Sequence, residues 1–164
     1  MRIANSLCLR ATITIIGFVC VFNSSSAWAK DPPADLCSLL APAQLEKTLG
    51  RPFSSPQKSE APAPYMGQPS GTKCEYSSEK GASMDVTFIV YVDASPAQAK
   101  QNFDKLSMWF APKSKPSVGD SAYIDAHDAI HVLKGRVRYY IAIEPIGNMQ
   151  QRLKDLAVLV AAQL

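Results

Sequence analysis

Residues 84–92, Met-Asp-Val-Thr-Phe-Ile-Val-Tyr-Val, decide the fold. Met84, Val86, Phe88, Val90 and Val92 alternate onto one face, the period of a strand with one side in a core. Asp85 and Thr87 point the other way, but so do Ile89 and Tyr91, so the second face is also partly covered. Immediately after it, Ser95-Pro96 opens a helix: Ser95 suits the N-cap, Pro96 the first helical position and Gln98 the capping-box site. Ala99, Phe103, Leu106 and Phe110 form the helix's apolar stripe, and Pro112 ends it.

The same reading extends in both directions. Downstream, a meander of three strands is expected over Ala122–Asp125, Ile130–Leu133 and Arg136–Ile143, after a turn at Val118-Gly119-Asp120. Asn148 then caps a last helix whose stripe is Leu153, Leu156, Ala157, Val160 and Leu164. Upstream, Lys73–Ser77 reads as a short strand. Residues 54–71 hold Pro56, Pro62, Pro64 and Pro69 and read as a long surface loop. Before it, Leu36, Leu39 and Leu40 have helical spacing. Pro42 suits a new helix start, Leu45 and Leu49 repeat at i, i+4, and Gly50 occupies a C-cap position. The expected fold is α+β: a two-layer sandwich with an antiparallel sheet of about five strands and helices packed on one face. A helix followed by antiparallel strands occurs twice, without a residue-level repeat.

Residues 1–29 read as a cleaved secretory signal. Arg2 and Arg10 supply the positive region, residues 11–22 the apolar run, and Ala27-Trp28-Ala29 the peptidase site. The run is about 12 residues where a membrane span needs roughly 20. Phe18 and Val19 before Cys20 are too bulky for a lipid-attachment site. No membrane anchor is therefore expected after cleavage, and residues 30–164 form one domain, placed in the periplasm or secreted. The formal charge of +3 includes Arg2 and Arg10, so the processed domain carries +1. Such an overall balance gives no electrostatic case for nucleic acid or anionic lipid as a partner. Of four cysteines, only Cys37 and Cys74 survive cleavage. In an oxidising compartment such a pair becomes a disulfide; C-x-x-C redox spacing is absent, and two cysteines do not fill a zinc site.

These elements resemble small exported bacterial proteins of unknown function, best populated by actinobacterial lipoproteins. The likeness rests on Cys37-Ser38-Leu39-Leu40, Leu49-Gly50, Cys74-Glu75-Tyr76 and Val118-Gly119-Asp120-Ser121-Ala122-Tyr123, and covers most of residues 30–164. It implies an α/β sandwich with a Cys37–Cys74 bridge and carries over no catalytic residue. The lipid-attachment cysteine of those lipoproteins has no counterpart here.

Candidate sites are few. His127, Asp128 and His131 cluster, but i to i+4 on a strand spans about 13 Å, which disfavours a shared metal. No cofactor motif is present. Arg136, Arg138 and Tyr140 share a strand face; a solvated outer face is the expected reading, and binding of an anionic group the alternative. Asp120 is expected to make a turn hydrogen bond rather than act as an acid. Trp109 lies off its helix's stripe; it is expected to cover the sheet edge, or else to anchor a partner. Two functions follow. The first is a non-enzymatic module that meets an envelope protein or envelope component through residues 54–71, Trp109 or the Arg136/Arg138/Tyr140 face. The second is a hydrolase-type enzyme with scattered residues near His127 and His131, among them Asp120 and Asp128.

Overall fold

The computed structural model describes residues 31–145 and 149–164. The signal segment, Lys30 and the Asn148 cap lie outside them. The fold is α+β: an open antiparallel sheet of six strands with three α-helices. After a 3-10 turn at Leu36–Leu39, α1 covers Pro42–Leu49, followed by β1 (Gln57–Ala61), β2 (Gly71–Ser77) and β3 (Asp85–Val92). Then come α2 (Pro96–Trp109), β4 (Ser121–Ile124), β5 (Ile130–Lys134), β6 (Val137–Glu144) and α3 (Gln150–Ala161). The spatial order is β1-β2-β3-β6-β5-β4, so two three-strand meanders meet at the central β3–β6 pair. Among the described residues, no helix is long and apolar enough to cross a membrane.

The helix boundaries follow from local chemistry. Gln44 Oε1 accepts the Ala41 N–H at 2.7 Å, the return half of a capping box. Gly50 closes α1 with φ +74, a backbone conformation glycine adopts freely. Ser95 Oγ accepts the Gln98 N–H at 3.2 Å at the start of α2.

Two expectations are corrected. The stretch 54–71 is not wholly loop, because β1 pairs with β2 from Gln57↔Glu75 to Ala61↔Gly71. Pro56 and Pro62 bracket this strand rather than interrupt it, and its position at the sheet edge leaves it mostly exposed. Its sequence, Gln-Lys-Ser-Glu-Ala, carries no apolar alternation to announce it. Nor are all the helices on one face. Leu39, Leu40 and Leu45 join Leu153, Leu156, Ala157 and Val160 over Tyr76, Val86, Phe88, Val90, Tyr139, Ile141 and Ile143. On the opposite face α2 lays Ala99 and Phe103 against Tyr123 and Leu133. Ile89 and Tyr91, the apolar residues on the "wrong" side of β3, mark this second, smaller layer. The helices on opposite faces also mean that the mirrored meanders do not extend into a full structural duplication.

The turn before β4 requires glycine at one position. Gly119 has φ +61, and a Cβ there would sit 2.5 Å from the Leu133 carbonyl oxygen and 2.7 Å from Val132 Cγ1. Gly119→Ala should therefore cost about 3 kcal/mol from backbone strain plus overlap with a fixed carbonyl, read as a lowered urea midpoint. A midpoint equal to the wild type's would show that the turn relaxes freely.

Candidate functional site

The second sheet face carries a row of side chains running across five strands. Lys73 pairs with Ile89, Ile89 with Tyr140, Tyr140 with His131, and His131 with Tyr123. Because alternate residues of a strand share a face, each register pair puts both side chains on the same side. Four of the five, Lys73, Ile89, Tyr140 and His131, floor a groove of about 550 Å³. One wall is Pro62–Tyr65 of the β1–β2 connection; the other is the end of α2 with Leu106 and Phe110. At the rim the Tyr65 and Trp109 rings lie 5.9 Å apart. The lining is mainly aromatic and apolar, with Lys73, Thr87, His131 and the hydroxyls of Tyr65, Tyr91 and Tyr140 as its polar groups.

His131 is the most constrained of these. The residue is only 7% exposed. It stacks on Tyr123 at 4.5 Å and meets Tyr140 edge-on at 5.0 Å, with Phe110 at 5.3 Å. Nε2 lies 3.0 Å from Asp125 Oδ2. Asp125 is itself fixed by the β4–β5 turn: its Oδ1 accepts the backbone N–H groups of His127 and Ala129 at 2.8 and 3.0 Å. Burial opposes a charge on Asp125, but the His131 hydrogen bond and those N–H donors outweigh it and hold its pKa below the ordinary carboxylate value. Burial, reinforced by Asp125 and Glu144, pushes the Tyr140 phenol up to about 12, so it stays a neutral hydrogen-bonding group.

The sequence-derived candidates scatter. His127 is exposed on the turn and does not share a site with His131, although its backbone supports Asp125. Asp128 pairs with Lys113 at 3.1 Å. Asp120 accepts the Gly135 N–H at 2.7 Å and lies 3.1 Å from Lys134 Nζ, the turn-stabilising role expected of it. Among the described residues, no group of three or more His, Cys, Asp or Glu side chains could hold a metal. Cys37 and Cys74 form a disulfide that ties the 3-10 turn to β2.

The solvated face expected for Arg136, Arg138 and Tyr140 is overturned. Tyr140 floors the groove, while Arg136 sits in the β5–β6 turn and pairs with Asp31 at 2.8 Å. Arg138 is 2% exposed beneath α2, with Nε and Nη2 on the two oxygens of Asp93 at 2.6 and 3.2 Å. Asn102 of α2 donates to the same carboxylate at 2.6 Å, and the guanidinium lies over Tyr91 at 5.0 Å. This network locks α2 to the sheet and so sets one wall of the groove. Sequence reasoning missed Asp93 and Asn102; the only available signal was an acid just past a strand end and an amide on a helix stripe. Trp109 does not cover the sheet edge, being 73% exposed at the rim.

Comparison of the chain with family models, with curated proteins and with solved structures gives no match. The fold and the groove therefore define the class on their own terms: a disulfide-bonded α+β domain with an aromatic cleft on its less covered sheet face.

Proposed function

We propose that this is an exported, non-enzymatic binding module of the cell envelope, and that the groove holds an apolar or aromatic group of an envelope protein or envelope component. One observation carries the reading. Residues far apart in the chain, Pro62–Tyr65, Phe110 and Tyr140, converge on one concave surface of ligand size, with Trp109 beside Tyr65 at its edge. The apolar signal-like N-terminus and the Cys37–Cys74 bridge support placement in the periplasm or outside the cell. The likeness to exported bacterial proteins points the same way.

The test is capture from periplasmic extract by the immobilised domain. Trp109→Ala removes the rim, and Ala63→Phe fills the groove from an exposed loop position. An aromatic anchor is worth about 2 kcal/mol and a filled groove shuts its ligand out, so each variant should retain its partner about thirtyfold less well. Equal recovery by wild type and both variants would reject the groove.

The Asp125–His131 pair favours a second reading, a hydrolase-type enzyme. An acid that orients an imidazole at 3.0 Å is the arrangement a general base uses. It ranks second because the groove lining offers Lys73, Thr87 and tyrosine hydroxyls as nucleophiles and includes no serine or cysteine. Turnover of a nitrophenyl ester that disappears in His131→Gln would favour it over the binding module.

A further inference from the structure

The end of α2 forms an apolar lip that continues outward from the groove, with Phe110 in the groove wall, Trp109 at its rim and Met108 outside it. Met108 and Trp109 are about three-quarters exposed, and Phe110 is partly so. Lys105 lies three and four residues before Met108 and Trp109, the spacing that puts helix side chains on one face. Beyond the helix, Lys113 and Lys115 are exposed on the connector that carries Ala111 and Pro112. Across the rim, Met66 follows Tyr65, the residue that touches Trp109, and is fully exposed. From Lys105 to Gly119 the chain holds three lysines and no acidic residue. Lys113 pairs with Asp128, whereas Lys105 and Lys115 form no ion pair among the described residues. A domain whose overall balance is close to neutral thus concentrates positive charge around its most exposed apolar side chains.

We propose that this lip is a peripheral docking surface for an anionic lipid bilayer. Met108, Trp109 and Phe110 enter the headgroup region, and Lys105 and Lys115, which Asp128 does not neutralise, meet lipid phosphates. Tryptophan is suited to that depth because its ring is apolar and its N–H finds a partner there. Lysine stems lie along apolar surface while the ammonium groups stay in water. Protein interfaces are instead depleted in lysine, so the Lys105 and Lys115 flank outside the groove suits a lipid surface better than a protein. An apolar contact and a basic patch together supply the two signals that stable surface attachment needs. Docking would place the groove mouth at the membrane surface, but it does not depend on what the groove binds.

The experiment uses the processed protein, shown by mass to begin at Lys30, in which Trp109 is the sole tryptophan. It is mixed with vesicles of phosphatidylcholine alone or of phosphatidylcholine with phosphatidylglycerol. Cosedimentation and a blue shift of Trp109 emission are expected only with the anionic vesicles. Each surface lysine contributes about a fivefold gain, so Lys105→Gln with Lys115→Gln should weaken binding about thirtyfold while leaving the fold unchanged by circular dichroism. Ala63→Phe, which fills the groove but spares the lip, should bind vesicles like the wild type. Three results would overturn the proposal. One is no binding to anionic vesicles, or equal binding to both kinds. Another is loss of binding in Ala63→Phe, which would assign the lipid to the groove. The last is a blue shift that grows with protein concentration without lipid, which would assign the lip to a second copy of the chain.

Discussion

Replacing both bridge cysteines, Cys37→Ala with Cys74→Ala, should lower the free energy of unfolding by about 4 kcal/mol, the loop-closure entropy of a ring of this length. The two residues are 37 apart in sequence, and the ring they close contains α1 and β1. A domain has roughly 5–15 kcal/mol in total, so the variant should sit near the edge of folding at physiological temperature. Native packing adds to the dependence. Both cysteines are buried, and the Tyr76 hydroxyl donates to the Cys37 carbonyl at 3.1 Å, fixing the 3-10 turn against the sheet. Guanidinium unfolding of the oxidised protein and the variant is the measurement. The slope should rise in the variant, because its unfolded chain is less compact. A difference under about 1 kcal/mol would mean that the bridge merely decorates a structure already held by the sheet.

The second large effect is expected at Asp93. Asp93→Ala should cost about 3–5 kcal/mol, because it strands the Arg138 guanidinium under α2, away from water and without its counter-charge. One guanidinium nitrogen, Nη1, already lacks a partner among the described residues, so little remains to compensate the loss. The charge itself, rather than lost packing, is tested by the double variant Asp93→Leu with Arg138→Met. Removing both charges together should recover most of the stability. Urea unfolding of the three proteins decides it. If the double variant is as unstable as Asp93→Ala, the network holds α2 through shape and not through charge. The network also sets the wall carrying Leu106 and Phe110, so Asp93→Ala should weaken groove binding even where the protein remains folded.

Much of the scaffold was legible before any coordinates. The alternation over Met84–Val92, the Ser95-Pro96 start and the Gly50 stop are local signals, and local signals survive into the fold. The β1 strand escaped because an exposed edge strand needs no apolar face; its partner β2 supplies the hydrogen bonds. Arg138 was misread for a related reason. An arginine alternating with valine and tyrosine looks like a solvated face until the Asp93 carboxylate arrives above it from the β3–α2 connection, 45 residues earlier. Tyr140, two residues on, was grouped with the two arginines, but it floors the groove, where its neighbours lie on β2, β3 and β5.

The chain by itself determined every element but β1, the caps of α1 and α2, the pairing of Cys37 with Cys74 and the α+β class, because each depends on residues within a few positions of one another or on a count. The groove, the Asp125–His131 pair, the buried Arg138–Asp93–Asn102 network and the exposed lip at Trp109 were decided only by tertiary structure. They depend on strand order and register, and on α2 crossing the second sheet face. Those relations join residues up to dozens of positions apart and leave no periodic trace in the sequence.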